Sequence, residues 1–146
     1  MEDQALETAL KYLNNRAMTT QRLTDKLLQD GFTTAAVTEC VARVSNWGYL
    51  NDYQFGVDRL RLLQTKLKSR NYIEADLRHA GLEQRLVGDL LDKYYPEATE
   101  VDIARKLIAR KFAAQKDAAA KMEQYLLRTG FSEDTVSRCF LDRSSP

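Results

Sequence analysis

Residues 27–41 read LLQDGFTTAAVTECV. One run with apolar residues on a single side stops at Asp30 and Gly31, and a second run starts at Thr33. The same unit returns at residues 77–91, LRHAGLEQRLVGDLL, and at residues 126–140, LLRTGFSEDTVSRCF. The three glycines, Gly31, Gly81 and Gly130, are spaced by 50 and 49 residues. Four residues before them stand Leu27, Leu77 and Leu126, and eight before stand Leu23, Ile73 and Met122. One residue after them come Phe32, Leu82 and Phe131, and six after come Val37, Val87 and Val136. Nine after come Cys40, Leu90 and Cys139.

Apolar residues eight and four before each glycine share one helical stripe. A glycine at a helix end takes the left-handed conformation without the steric cost of a Cβ. The apolar residue after it packs back on the helix just left, and Thr33 and Ser132 suit the start of the next one. Each unit is therefore helix, glycine turn, helix, with a longer helix in front. The longer helices are predicted over 5–16, 52–68 and 97–115. Pro96 fits the first turn of the last, where its missing N–H costs nothing. The expected class is all-α, as three tandem three-helix repeats in an elongated, curved array. The repeats span residues 1–50, 51–96 and 97–146. Long alternating runs of β-branched residues, the mark of strands, are missing.

The stretch GYLND, residues 48–52, joins the first two units. Gly48 can end a helix, and Tyr49 and Leu50 can anchor the crossing in the core. Asn51 or Asp52 can cap the next helix, with Gln54 placed for a reciprocal capping box. Trp47 is expected in the core.

The chain has 146 residues with 22 Lys and Arg, 21 Asp and Glu, and a net charge of +1. That balance argues against a bulk polycation but allows local basic faces. No apolar run approaches the roughly 20 residues that cross a bilayer, so no membrane partner is expected. MEDQALETAL is unlike a secretory signal. Two cysteines without a CxxC pattern suit a reducing, cytoplasmic setting.

Catalytic signatures are missing: no phosphate loop, HExxH, GxSxG or EF-hand loop is present. The one histidine, His79, precedes a helix end, where a solvated residue of its type favours the helix dipole. Cys40 and Cys139 occupy equivalent places and read as small core residues rather than metal ligands. The carboxylates are scattered over polar faces, with no nucleophile or base beside them. No enzymatic site and no cofactor are expected.

Positive charge is concentrated in two places. Residues 59–70, RLRLLQTKLKSR, carry Arg59, Arg61, Lys66, Lys68 and Arg70 without an acid. Residues 103–116, IARKLIARKFAAQK, carry Arg105, Lys106, Arg110, Lys111 and Lys116, again without an acid. A shift of 49 residues lays Arg61 over Arg110. By contrast, residues 1–50 hold five basic and six acidic residues. The runs read either as solvated faces near helix C-termini or as a surface for phosphate or an acidic partner. Their shared placement on two long helices favours contact. Tyr72, Tyr94 and Tyr95 read as packing residues rather than as platforms for stacked bases.

GYLNDYQF, Gly48 to Phe55, resembles the joint between the first two repeats of the RecX family, regulators of the RecA recombinase. Upstream, ALKYLNNRAMTTQRLTDKL resembles that family's opening at Ala9, Leu10, Leu13, Arg16, Thr19 or Thr20, Leu23, Lys26 and Leu27. ADLRHAGL and YLLRTGFSEDTV resemble its second and third turns, the latter at Arg128, Gly130 and Phe131. Two departures stand out. Gly56 replaces a usual alanine, and KLKSRNYI has Ser69 and Asn71 where a glycine usually comes shortly before the Ile73 position. The resemblance implies a protein without catalytic residues that lies along RecA filaments on DNA. It implies damping of ATP hydrolysis, strand exchange and the filament's co-protease role in DNA repair. Single- or double-stranded DNA would then be met through the filament, by a monomer. Read from the residues alone, a helical-repeat protein acting directly on DNA or RNA stands as the alternative.

Overall fold

The computed structural model describes residues 2–115 and 118–141. Among these residues there are nine helices and no strand: α1 (Glu2–Asn15), α2 (Thr20–Gln29), α3 (Thr34–Asn46), α4 (Asp52–Thr65), α5 (Arg70–His79), α6 (Gln84–Tyr94), α7 (Glu97–Lys111), α8 (Ala119–Arg128) and α9 (Glu133–Leu141). Helices α1 to α3 pack on one another, as do α4 to α6 and α7 to α9. The all-α class expected from the repeats is what the structure shows.

The repeated residues account for the packing. Leu23, Leu27, Ile73, Leu77 and Leu126 are fully buried, and Met122 nearly so. Val37, Val87, Val136, Cys40, Leu90 and Cys139 line the facing helices and are buried as well. Each large apolar side chain removed from water contributes about 1.5–3 kcal/mol, so these stripes hold each triplet together. Gly31, Gly81 and Gly130 have φ of 96°, 101° and 102°. The next N–H reaches back to the middle helix: Phe32 to Leu27, Leu82 to Leu77 and Phe131 to Leu126 at 3.0–3.2 Å. This is the Schellman ending, which satisfies carbonyls a helix end would leave open. Thr33 and Ser132 cap the following helices by accepting from Ala36 N and Thr135 N.

The helix bounds differ most at three ends, and α1 also stops one residue early, at Asn15. Helix α1 begins at Glu2 rather than 5. Helix α7 ends at Lys111 rather than 115. Helix α4 ends at Thr65 rather than 68, because Leu67 turns left-handed at φ 60°. Burial of the Leu67 side chain holds a conformation that only glycine adopts freely. The chain thus makes this turn with leucine, just before the segment in which Ser69 and Asn71 replace the expected glycine. Pro96 is the N-cap of α7, one residue earlier than a first-turn position.

GYLND behaves only partly as expected. Gly48 has φ 82°, Asn51 caps α4 by accepting from Gln54 N at 3.0 Å, and Leu50 is buried. Gln54 turns to Asp58 rather than back to Asn51, so the capping box has only one half. Trp47 is not in the core: it is 51% exposed and Tyr49 is 61% exposed. Helix α3 stops at Asn46, and the turn through Gly48 leaves Trp47 edge-to-face with Tyr49, under the Arg43 guanidinium.

The joints between units use one device twice. Thr19 caps α2 by accepting from Arg22 N, and its hydroxyl donates to Ala80 O of the next unit at 2.7 Å. Fifty residues on, Ser69 caps α5 through Tyr72 N and donates to Thr129 O. A carboxylate completes each joint. Asp52 accepts from Thr20 N at 2.8 Å, and Glu100 accepts from Arg70 N at 2.6 Å. Glu100 is buried and also accepts from the Thr135 hydroxyl at 2.6 Å, so the carboxylates are not all on polar faces. Asp52 and Glu100 are 48 residues apart, which places Gly56 opposite Ala104 and Arg61 opposite Ala109 rather than Arg110.

That register explains the glycine at 56. A methyl there would lie 2.3 Å from Leu90 Cδ1 and 3.2 Å from Leu82 Cδ1. The third unit has Ala104 on its long helix and the smaller Cys139 at the place of Leu90. The second unit has moved volume from one helix to the other.

Candidate functional site

The nine cations singled out from the sequence divide by their partners. Arg59 is half-buried and grips Asp76 with two parallel bonds, Nε to Oδ1 at 2.8 Å and a terminal nitrogen to Oδ2 at 2.9 Å. Asp76, on α5, thus ties α4 to its neighbour, and its hydrogen bond raises the Arg59 pKa further. Arg70 donates its backbone N–H to Glu100 and its guanidinium to Asp92 at 2.8 Å. Arg105 is half-buried, with a terminal nitrogen 3.3 Å from Arg138 O. These three guanidiniums are turned toward the protein.

The other six face outward. Arg61 lies over the Tyr94 ring at 5.5 Å, Lys68 over Tyr72 at 4.7 Å and Lys111 over Tyr125 at 5.4 Å. Lys66, Lys106 and Arg110 are exposed. Among the described residues, none of the six has a carboxylate within ion-pair distance. Lys116 lies outside the described residues. The tyrosines differ from one another. Tyr95 is fully buried, with its hydroxyl donating to Lys68 O at 2.8 Å, and burial followed by the Glu100 charge pushes its phenol far up. Tyr94 is half-buried, and Tyr72 is 45% exposed.

A second basic site arises where the first two units meet. A cleft of about 570 Å³ is lined by Arg16, Arg22, Lys26, Arg59 and His79, over Met18 and Phe55. Its one acid, Asp76, is already neutralised by Arg59. The Arg22 guanidinium donates to His79 O at 2.6 Å, and Lys26 lies over the Tyr12 ring at 4.9 Å. Arg16, Arg22 and Lys26 have no carboxylate partner among the described residues. Counting charge along residues 1–50 concealed this group, because none of the acids of that segment lines the cleft. The only signal was the helical spacing of Arg22 and Lys26, four residues apart.

The cavity at the second joint, about 520 Å³, has the opposite character. Asp92, Glu97, Glu100 and Asp134 line it against Arg70. The first joint is thus lined mainly by basic groups and the second mainly by acidic ones. Among the described residues no group of three His, Cys, Asp or Glu could hold a metal ion, and no helix is long and apolar enough to cross a membrane. Cys40 and Cys139 are buried thiols in separate units, with burial pushing the Cys40 pKa up.

Comparisons with known proteins agree with this architecture. Residues 5–43 match the family model for the first three-helix domain of RecX. A "Regulatory protein RecX" of Pelodictyon phaeoclathratiforme (strain DSM 5477 / BU-1) is 30% identical over 129 residues, spanning 87% of this chain and 81% of that protein. Another, of Caldanaerobacter subterraneus subsp. tengcongensis, is 26% identical over 135 residues, with 92% and 68% covered. Among solved structures, RecX from Lactobacillus salivarius superposes with a TM-score of 0.84 at 20% identity, covering 97% of this chain and 95% of that one. With that shared architecture, and identity that extends over most of both chains, this chain belongs to the RecX family of regulatory proteins.

Proposed function

We propose that the protein binds RecA-type recombinase filaments on DNA and restrains their ATP hydrolysis, strand exchange and co-protease activity. The observation that carries this reading is the set of cations without carboxylate partners among the described residues: Arg61, Lys66, Lys106, Arg110 and Lys111, which are exposed, and the half-buried Lys68. A cation that serves only folding is paired or solvated singly. Cations without a carboxylate partner among the described residues, on α4 and the turn after it and on α7, suit a partner rich in phosphate or carboxylate. The cleft of Arg16, Arg22 and Lys26 adds a basic patch at the first joint. Arg59, Arg70 and Arg105 shape the surface through their internal partners. The family's regulatory character supports the reading.

The cations that lie over Tyr72, Tyr94 and Tyr125 also suit direct binding of nucleic acid. Binding measured against salt, on naked single-stranded DNA and on recombinase-coated DNA, separates the two readings. The filament reading expects tight binding to coated DNA and weak binding to naked DNA. Equal affinity for both, with a steep log–log salt slope, would establish direct DNA binding instead.

A further inference from the structure

Tyr94, at the end of α6, packs beside α4 with its hydroxyl 2.9 Å from that of Tyr53. The Arg61 guanidinium lies 5.5 Å from the centre of the Tyr94 ring, and the Lys93 ammonium lies 5.4 Å from it. Tyr53, Arg61 and Lys93 are exposed. Two positive charges are thus gathered on one ring, and they repel each other. Among the described residues neither cation has a carboxylate within ion-pair distance. Asp58, one turn before Arg61, accepts from Gln54 instead, and Asp89, one turn before Lys93, makes no ion pair with it. The Tyr53 hydrogen bond, and then Lys93 and Arg61, hold the Tyr94 phenol below its ordinary range.

We infer that Tyr53, Arg61, Lys93 and Tyr94 form a phosphate subsite on the second unit. Of the two phenols, one donates to the other, which leaves a single O–H to donate outward. Guanidinium and ammonium add donors and charge. The site therefore offers donors to an oxyanion, and none of its four side chains is a carboxylate. The phosphate is either a phosphodiester of a nucleic-acid strand or a free phosphate ion. Tyr53, Lys93 and Tyr94 lie outside the basic runs of the sequence, and the site stands without the recombinase reading, sharing only Arg61 with it.

Two measurements on the full chain test the site. The first follows the anisotropy of a labelled thymidine oligonucleotide against salt. Lys93→Gln is expected to weaken binding and to lower the magnitude of the log–log slope by about 0.7, one phosphate contact on a single strand. A Tyr53→Phe, Tyr94→Phe variant is expected to weaken binding with the slope unchanged, because it removes donors and no charge. The second follows tyrosine ionisation by ultraviolet absorbance, in inorganic phosphate and in chloride at matched ionic strength. Phosphate seated beside Tyr94 opposes its ionisation, so the earliest phase is expected to move to higher pH. Tyr94→Phe is expected to remove that phase. A response in the first measurement alone assigns the phosphate to a strand, and a response in the second alone assigns it to the free ion. If Lys93→Gln matches wild type in affinity and slope, and phosphate leaves the ionisation unmoved, the subsite does not exist. The substituted groups are exposed or half-buried, and matched thermal melting shows that each variant is folded.

Discussion

At Gly31 the backbone has φ 96°, and a Cβ added there would meet nothing within 4 Å. At Gly81 the conformation is the same, but a Cβ would lie 3.0 Å from Thr19 Oγ1 and 3.1 Å from Gln21 Cβ. The first glycine answers only a backbone demand, and the second also admits the capping hydroxyl of the preceding unit. Gly31→Ala is therefore expected to cost about 1–2 kcal/mol, the penalty of the left-handed region for a residue with a Cβ. Gly81→Ala should cost about 1 kcal/mol more, for the crowding at Thr19. Denaturant unfolding measures both, and equal losses would show that the joint does not press on Gly81. Gly56 gives a second comparison. Alanine gains about 1 kcal/mol of helix propensity over glycine, but the methyl at 2.3 Å from Leu90 crowds the core. Gly56→Ala is expected to destabilise on balance. Adding Leu90→Cys, which copies Ala104 and Cys139 of the third unit, should recover part of that loss. Additive losses in the double variant would separate the two positions. Leu67 remains the one non-glycine residue with positive φ among those described, held there by its own burial.

The helices were legible in the sequence because their signals are local. A glycine, the apolar residue after it and the stripe before it lie within two turns of one another, and a left-handed helix end admits few other residues. The joints were not legible, because each pairs groups far apart in the chain. Thr19 meets Ala80, Ser69 meets Thr129, and Glu100 reaches both Arg70 and Thr135. The same distance in sequence hid the fate of three cations. Asp76 and Asp92 lie on helices that no inspection of RLRLLQTKLKSR brings near Arg59 and Arg70. Trp47 was misplaced because its spacing continues the stripe of Val37, Cys40 and Val44, while the helix stops one residue before it. Glu100→Ala would leave a backbone N–H and a buried hydroxyl without acceptors. The expected loss is about 2–4 kcal/mol, from one to a few for each group. Thr19→Ala removes a cap and a bond across the joint, and about 1–2 kcal/mol is expected. Loss of less than half these values in thermal or denaturant melts would mean that water replaces the joint bonds. The cysteines test the arrangement of the units. Both are buried in different triplets, so alkylation in the native state should be slow, and unfolding without reductant should expose two thiols by mass. A Cys40 to Cys139 disulfide would contradict the packing.

Across the whole molecule, folding uses some cations and leaves others outward. Asp76 and Asp92 pair with Arg59 and Arg70, while Arg61 and Arg110 have no carboxylate partner among the described residues, although the joint register does not make the last two strict equivalents. The first joint is basic and the second acidic, so the array presents different charge along its length. A regulator that meets both phosphate and protein has a use for both. Surface charges without partners contribute little to folding, within about 0.5 kcal/mol each, so reversing Arg61 and Arg110 should leave melting nearly intact. The most direct measurement is ATP hydrolysis by the host's recombinase on single-stranded DNA, titrated with this protein. Wild type should depress hydrolysis, less so as salt rises. A folded Arg61→Glu, Arg110→Glu variant should need at least about tenfold more protein for the same effect, since like charge at an interface costs several kcal/mol. Hydrolysis unchanged by saturating wild-type protein would contradict the account, and so would a folded double variant that inhibits as strongly as wild type.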